Sequence, residues 1–194
     1  METRPLTIAV TGHRILADLE RLRSGIEKAV ASIRSAFPRR QIRVISQLAE
    51  GADRVCAEMI LLLPGAEMLA LLPMPRREYV KDFGPEGSPS WIHFDALLAR
   101  AKKTVILSAA ESREESYARA GTWMVARCDV LLAVSDNLPA QGRGGTSEVI
   151  AEARARHKPI VIVLAGNRKP GTLEPTSLGR EQGRVLVEGL PRRR

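Results

Sequence analysis

Six short, almost uninterrupted apolar runs constrain this chain of 194 residues more than anything else in it. They are LTIAVT (6–11), IRVIS (42–46), EMLALL (67–72), TVIL (104–107), DVLLAVS (129–135) and PIVIVL (159–164). Runs of this length, without polar alternation, fit strands covered on both faces. The stretches between them carry helical spacing. In 18–37, Leu19, Leu22, Ile26, Ala29, Val30 and Ile33 recur every three or four residues, with Asp18 as the expected N-cap and Pro38 as the stop. A second helix runs through Val55, Ala57, Met59, Ile60 and Leu63 to the Pro64-Gly65 stop, and others are expected from the cap Ser90 through 101, over 113–128 and over 147–157. Strands alternating with helices predict an α/β fold with a mostly parallel sheet between two helical layers. The stretch 74–90, with its prolines, glycines, Tyr79 and Phe83, reads as an irregular cap or lid over the strand ends.

Composition narrows the class. Apolar residues make up 44% of the chain, ordinary for a globular domain of a size that builds a real core. No apolar run approaches the roughly 18 residues of a membrane span, and METRPLTIAV lacks the pattern of a secretory leader. Cys56 and Cys128 have no metal-ligand spacing, so two buried free thiols in a reducing cytoplasm are expected. No metal and no cofactor are expected. The net charge is +8, and residues 166–194 carry seven Lys or Arg against three Asp or Glu. The expected organisation is therefore a domain over 1–165 followed by a basic, loosely attached extension over 166–194, with a short helical turn near 179–190. A basic balance admits nucleic acid as a partner, but a basic tail of this kind is more often simply solvated.

The chemistry gathers where strands end. The chain has no Walker-type G-x-x-x-x-G-K-[ST], no G-x-G-x-x-G after the first strand and no G-x-S-x-G elbow. Instead, the run 129–135 leads into a glycine-rich turn, with Gly142, Gly144, Gly145 and Thr146, that opens a helix. Such a turn brings backbone amides and a helix N-terminus to an anion; a plain capped turn is the alternative. Glu148, in the first helical turn, either complements the helix dipole or acts on a ribose hydroxyl or glycosidic bond. Gly12-His13-Arg14 follows the first strand, where Arg14 can fork onto a phosphate with His13 beside it, unless this is only a surface turn. Glu50, Gly51 and Asp53 follow the second strand, with Asp53 either capping the helix or binding ligand. Asp136 either holds sugar hydroxyls or shapes its turn. Arg119 and Tyr117 lie on the preceding helix, and spacing does not decide which of them faces the site. Three glycine-bearing turns at one sheet edge, Gly12, Gly51 and 142–145, make the case for a single site.

At these turns the sequence resembles a family. VTGHR (10–14), AEGADR (49–54), DVLLAV (129–134) and GGT-x-E (144–148) are similar, in order and spacing, to the SLOG superfamily. It includes the LOG phosphoribohydrolases, the molybdenum-cofactor carrier proteins, the DNA-processing protein DprA and nucleotide-sensing domains of bacterial defence systems. The likeness covers about 6–165 and is nearest to an uncharacterised bacterial branch with a TGHR turn. It implies a Rossmann-like three-layer sandwich, usually a homodimer, that binds a nucleotide or nucleotide-derived ligand at the glycine turn as a sensor or carrier. The ligand set it implies is Gly12, His13, Arg14, Glu50, Gly51, Asp53, Asp136, Gly144, Gly145 and Thr146. The helices through 91–101 and 117–124 are where a dimer contact would be sought. The LOG branch implies a second reading, cleavage of the N-glycosidic bond of a nucleoside 5′-monophosphate, with Glu148 and Arg119 as catalytic residues. Here the turn is one residue shorter, Glu148 stands two rather than three residues after Thr146, and no Arg-Lys pair precedes the central strand. The DprA branch implies a third, a nucleic-acid-binding module with steeply salt-dependent DNA binding.

Overall fold

The computed structural model describes residues 4–139 and 145–191. Seven strands form one sheet in the order β4-β3-β2-β1-β5-β6-β7. They are β1 (Leu6–Gly12), β2 (Ile42–Ser46), β3 (Glu67–Leu72), β4 (Lys103–Ile106), β5 (Val130–Ser135), β6 (Ile160–Leu164) and β7 (Val185–Glu188). All neighbours are parallel except β6 and β7. The helices are α1 (Leu19–Ala36), α2 (Ala52–Ile60), α3 (Arg76–Tyr79), α4 (Pro89–Ala99), α5 (Arg113–Arg127) and α6 (Thr146–Ala155). Side chains alternate across each strand. Leu6, Ile8, Val10, Val130, Leu132 and Val134 pack with α1, α2 and α4, while Ala9, Leu131, Ala133, Ile160 and Ile162 pack with α5 and α6. The result is the three-layer α/β sandwich that the apolar runs predict. None of the described helices is long and apolar enough to cross a membrane.

Local chemistry differs from expectation at two helix caps. Asp18 stands before α1 with φ 51° and makes no capping bond; its carboxylate instead accepts from the Ser177 hydroxyl, far along the chain. The α4 cap is Ser88, which accepts from the Trp91 amide and is followed by Pro89 at the first helical position. Ser90, the expected cap, turns its hydroxyl to the Glu50 carboxylate. The stretch after β3, expected as a cap or lid, is a packed cap. It forms α3 and a 3-10 turn (Val80–Phe83), and Tyr79 and Phe83 are buried against Phe94.

The segment after β6, expected to be loosely attached, is bound into the sheet and onto α1. After a 3-10 turn (Gly179–Glu181), β7 pairs antiparallel with β6. Gln182 is buried; its amide donates to the Ala17 carbonyl (2.9 Å) and its oxygen accepts from the Gly166 amide (2.9 Å). Gly25 of α1 meets Gly183 so closely that a Cβ on Gly25 would lie 2.4 Å from the Gly183 carbonyl oxygen. Gly183 itself has φ +82°, and its Cβ would lie 2.4 Å from the Arg21 carbonyl oxygen. Small polar residues that carry no periodicity thus make the contact, which is why the sequence pattern fades there.

This packing predicts that Gly183→Val lowers the urea midpoint by the equivalent of about 2 kcal/mol or more, from overpacking plus a left-handed backbone. Gly87→Ala is the control: Gly87 has φ +83° but nothing within 4 Å of its Cβ position, so only about 1 kcal/mol of backbone strain is expected.

Candidate functional site

The winding of the sheet reverses between β1 and β5, where α/β sheets open a crevice beyond their strand ends. Two loops interlock there. A Cβ on Gly12 would lie 2.4 Å from the Ala52 Cβ, and one on Gly51, at φ +79°, would lie 2.3 Å from the Arg14 carbonyl oxygen. The Ala52 amide donates to the His13 carbonyl (3.1 Å). Both glycines therefore have a structural reason, the close crossing of the β1 turn over the start of α2. His13 is buried and ties β1 to β5: its amide donates to the Val134 carbonyl (3.0 Å), and its Nε2 accepts from the Asp136 amide (3.0 Å). That acceptor role puts the ring proton on Nδ1. Burial holds the His13 pKa below its ordinary value against the pull of Asp136, whose carboxylate is 3.6 Å away. Asp136 also accepts from the Leu138 amide (3.1 Å), the turn-shaping role left open by the sequence.

The loop after β2 is similarly engaged. Buried Leu48 has φ 60°, a costly conformation for this residue. It is held by the Ser46 hydroxyl on its amide (3.0 Å) and by the Arg54 Nε on its carbonyl (2.9 Å). Arg54 is buried over the Phe83 ring and donates to the Ser90 carbonyl (2.9 Å). Glu50 accepts from Ser90. Asp53 is 5% exposed. Burial pushes its carboxyl up to about 7, against the pull of Arg14 and of the Gln47 and Ala49 amides.

Arg14 points out of this lock toward the cap. Its Nη2 lies 3.4 Å from Asp82, and its guanidinium stands 5.2 Å from the centre of the Tyr117 ring. Asp82 also accepts from Arg113 and from the Tyr117 hydroxyl. Burial, first, and then the Asp82 contact push the Tyr117 hydroxyl up to about 12, against the pull of Arg14. Asp82 and Arg113 carry no motif or spacing signal; only the fold brings the cap to α5. On that helix Tyr117 turns to Asp82 and Arg14, while exposed Arg119, two residues on, lines the groove toward α6.

The remaining candidates lie on and before α6. Gly144, like Gly142, is outside the described residues. Gly145 occupies the N-cap position at φ −91°, ψ 168°, which any residue adopts, and no side chain caps the helix among the described residues. Nothing described lies within 4 Å of a Cβ placed on it. Among the described residues, Gly145 thus has neither the packing nor the conformational reason that explains Gly12 and Gly51. Thr146 is the first helical residue, half-buried, and not the cap. Glu148 and Arg119 share a groove of about 390 Å³ between α5 and α6, lined also by Glu115, Thr122 and Trp123. The two catalytic candidates therefore line one groove, whose described lining does not include Arg14, Asp82 or Arg113.

No protein-family model matches the chain, and no curated protein matches it. Among solved structures, it is similar to the X-ray structure of TM1055, at 14% identity over 80% of this chain and 72% of that one, with a TM-score of 0.48. It is also similar to a molybdenum cofactor binding protein from the phototrophic bacterium Rippkaea orientalis (15% identity, 84% and 78% covered, TM-score 0.49). The molybdenum cofactor carrier protein of Chlamydomonas reinhardtii is a further likeness (17% identity, 82% and 76% covered, TM-score 0.46).

The two buried titrating groups act on stability in opposite directions. The lowered His13 pKa favours folding above the ordinary histidine value of 6.5, and that contribution falls as pH drops below it. Asp53 shifts the other way, from 3.8 to about 7. The unfolded chain loses this proton first, so the contribution is full below 3.8 and is lost as pH rises through about 7. Urea unfolding at several pH values between these limits should show Asp53→Asn gaining on the native protein as pH rises. A difference independent of pH would mean that Asp53 titrates as in the unfolded chain.

Proposed function

We propose that the crevice at the C-terminal edge of the sheet binds a nucleotide or nucleotide-derived ligand through its phosphate, as a sensor or carrier. Gly145 carries this reading: it stands at the entry to α6, and among the described residues nothing meets its Cα or calls for a glycine there. A glycine there lets a phosphoryl group approach the first amides of the helix, where the dipole favours negative charge. Arg14 supplies a cation from the neighbouring β1 turn, already anchored through its backbone by Gly51. His13, Asp136, Glu50, Gly51 and Asp53 hold this frame, and the ligand is taken by Arg14, Gly145 and Thr146. A second copy of the chain and the cytoplasm belong to the same proposal.

A second reading rests on the groove shared by Glu148 and Arg119. A carboxylate and a guanidinium facing one cleft are the pair that hydrolysis of an N-glycosidic bond employs, the acid–base group beside a cation for the developing charge.

A proton NMR time course of AMP with the protein tests both. Saturation transfer to intact AMP is expected, lost in Arg14→Ala and in Gly145→Val. The second substitution should cost only about 1 kcal/mol of helix capping, so the protein stays folded. Undiminished transfer in both variants would overturn the binding reading. Release of adenine and ribose 5-phosphate, lost in Glu148→Gln, would establish the phosphoribohydrolase instead.

A further inference from the structure

Arg113 lies in no motif, yet the fold sets it beside Arg14. The two guanidiniums reach the same carboxylate from opposite elements, Arg14 from the turn after β1 and Arg113 from the first residue of α5. Tyr117 completes the arrangement, with its hydroxyl on Asp82 and its ring against Arg14. We infer that Arg14 and Arg113 form a two-guanidinium clamp for a phosphoryl group, positioned by Asp82 and Tyr117, and that Arg113 is a binding residue of this crevice. The inference deepens the nucleotide reading and rests on it for the identity of the natural ligand, though not for the clamp itself.

Three observations carry it. The first is charge: one carboxylate stands between two guanidiniums, so the group keeps a net positive charge. The second is capacity. The Arg14 and Arg113 side chains are 43% and 41% exposed, and Asp82 is 15% exposed. Each guanidinium has five N–H donors. Among the described residues, the contacts of both run through Nη2 to Asp82; Arg113 also reaches the Glu78 carbonyl (3.3 Å) and Arg14 the Tyr117 hydroxyl, which leaves further N–H donors on each. The Arg14–Asp82 contact, at 3.4 Å, is longer than the 2.7–2.9 Å or so of a committed charge-assisted bond. Arg14 is therefore held in place without being used up. The third is rigidity. Asp82 sits on a 3-10 turn between Tyr79 and Phe83, both buried, and the Tyr79 hydroxyl is fixed to the Gln47 carbonyl (2.9 Å). The carboxylate cannot leave with its backbone, so an incoming anion shares the arginines with Asp82. Two forks prepared in advance suit the several oxygens of a phosphoryl group, and little side-chain freedom is lost on binding.

The test follows the arginine Nε–Hε resonances by NMR while inorganic phosphate is titrated at constant ionic strength. Saturable shifts are expected at Arg14 and Arg113. Arg113→Ala should weaken phosphate binding at Arg14 by at least about tenfold, and Arg113→Lys should restore it only in part, because the ammonium lacks the fork. Arg76→Ala is the control: that side chain is 42% exposed and paired with Asp95, so general attraction of anions would involve it equally. Shifts that do not saturate, or an equal loss in Arg76→Ala, would overturn the clamp, as would unchanged phosphate binding in Arg113→Ala. A protein that binds phosphate at the clamp but shows no saturation transfer to AMP would retain the clamp and lose the nucleotide reading.

Discussion

The crossing of the β1 turn over the start of α2 is the constraint on which the sheet edge depends. Here two backbones come too close for any side chain: the Gly51 Cα faces the Arg14 and His13 carbonyls, and the Gly12 Cα faces Ala52 and Val134. The crossing fixes the Arg14 backbone, and His13 then passes that position to β5 by accepting from the Asp136 amide. A neutral ring nitrogen is what accepts there, and burial, by lowering the His13 pKa, favours that form. A histidine and an arginine adjacent in sequence therefore have different tasks, one inside the frame and one presented by it.

The same reasoning separates residues that look alike in sequence. Gly12 and Gly51 are required by packing, whereas a Cβ on Gly145 would meet nothing among the described residues. Glu50, Asp53 and Asp136 are all acids after strands. Glu50 holds the start of α4 through Ser90, Asp53 is buried against loop amides, and Asp136 shapes its turn. Most of the polar residues that mark the edge are engaged in holding its loops in place. Asp82, with no motif around it, gathers Arg14, Arg113 and Tyr117 because the aromatic anchors of the cap set it there.

The apolar runs determined the sandwich. A strand covered on both faces must be apolar throughout, so β1, β2, β3, β5 and β6 could be read within a residue of their bounds, and alternation with amphipathic helices made the sheet parallel. The turns that interrupt these runs were equally legible, because glycine after a buried strand leaves little other choice. What only the tertiary structure decided were contacts between residues distant in sequence. β7 has little periodicity and is held by pairing with β6 and by two glycines meeting across α1. Tyr117 and Arg119 are indistinguishable by spacing, yet they face opposite ways once α5 packs on α6. Arg113 and Asp82 come together only when the cap folds over the strand ends. Local periodicity records which face of an element is buried, whereas a site is made of side chains that several elements bring to one point.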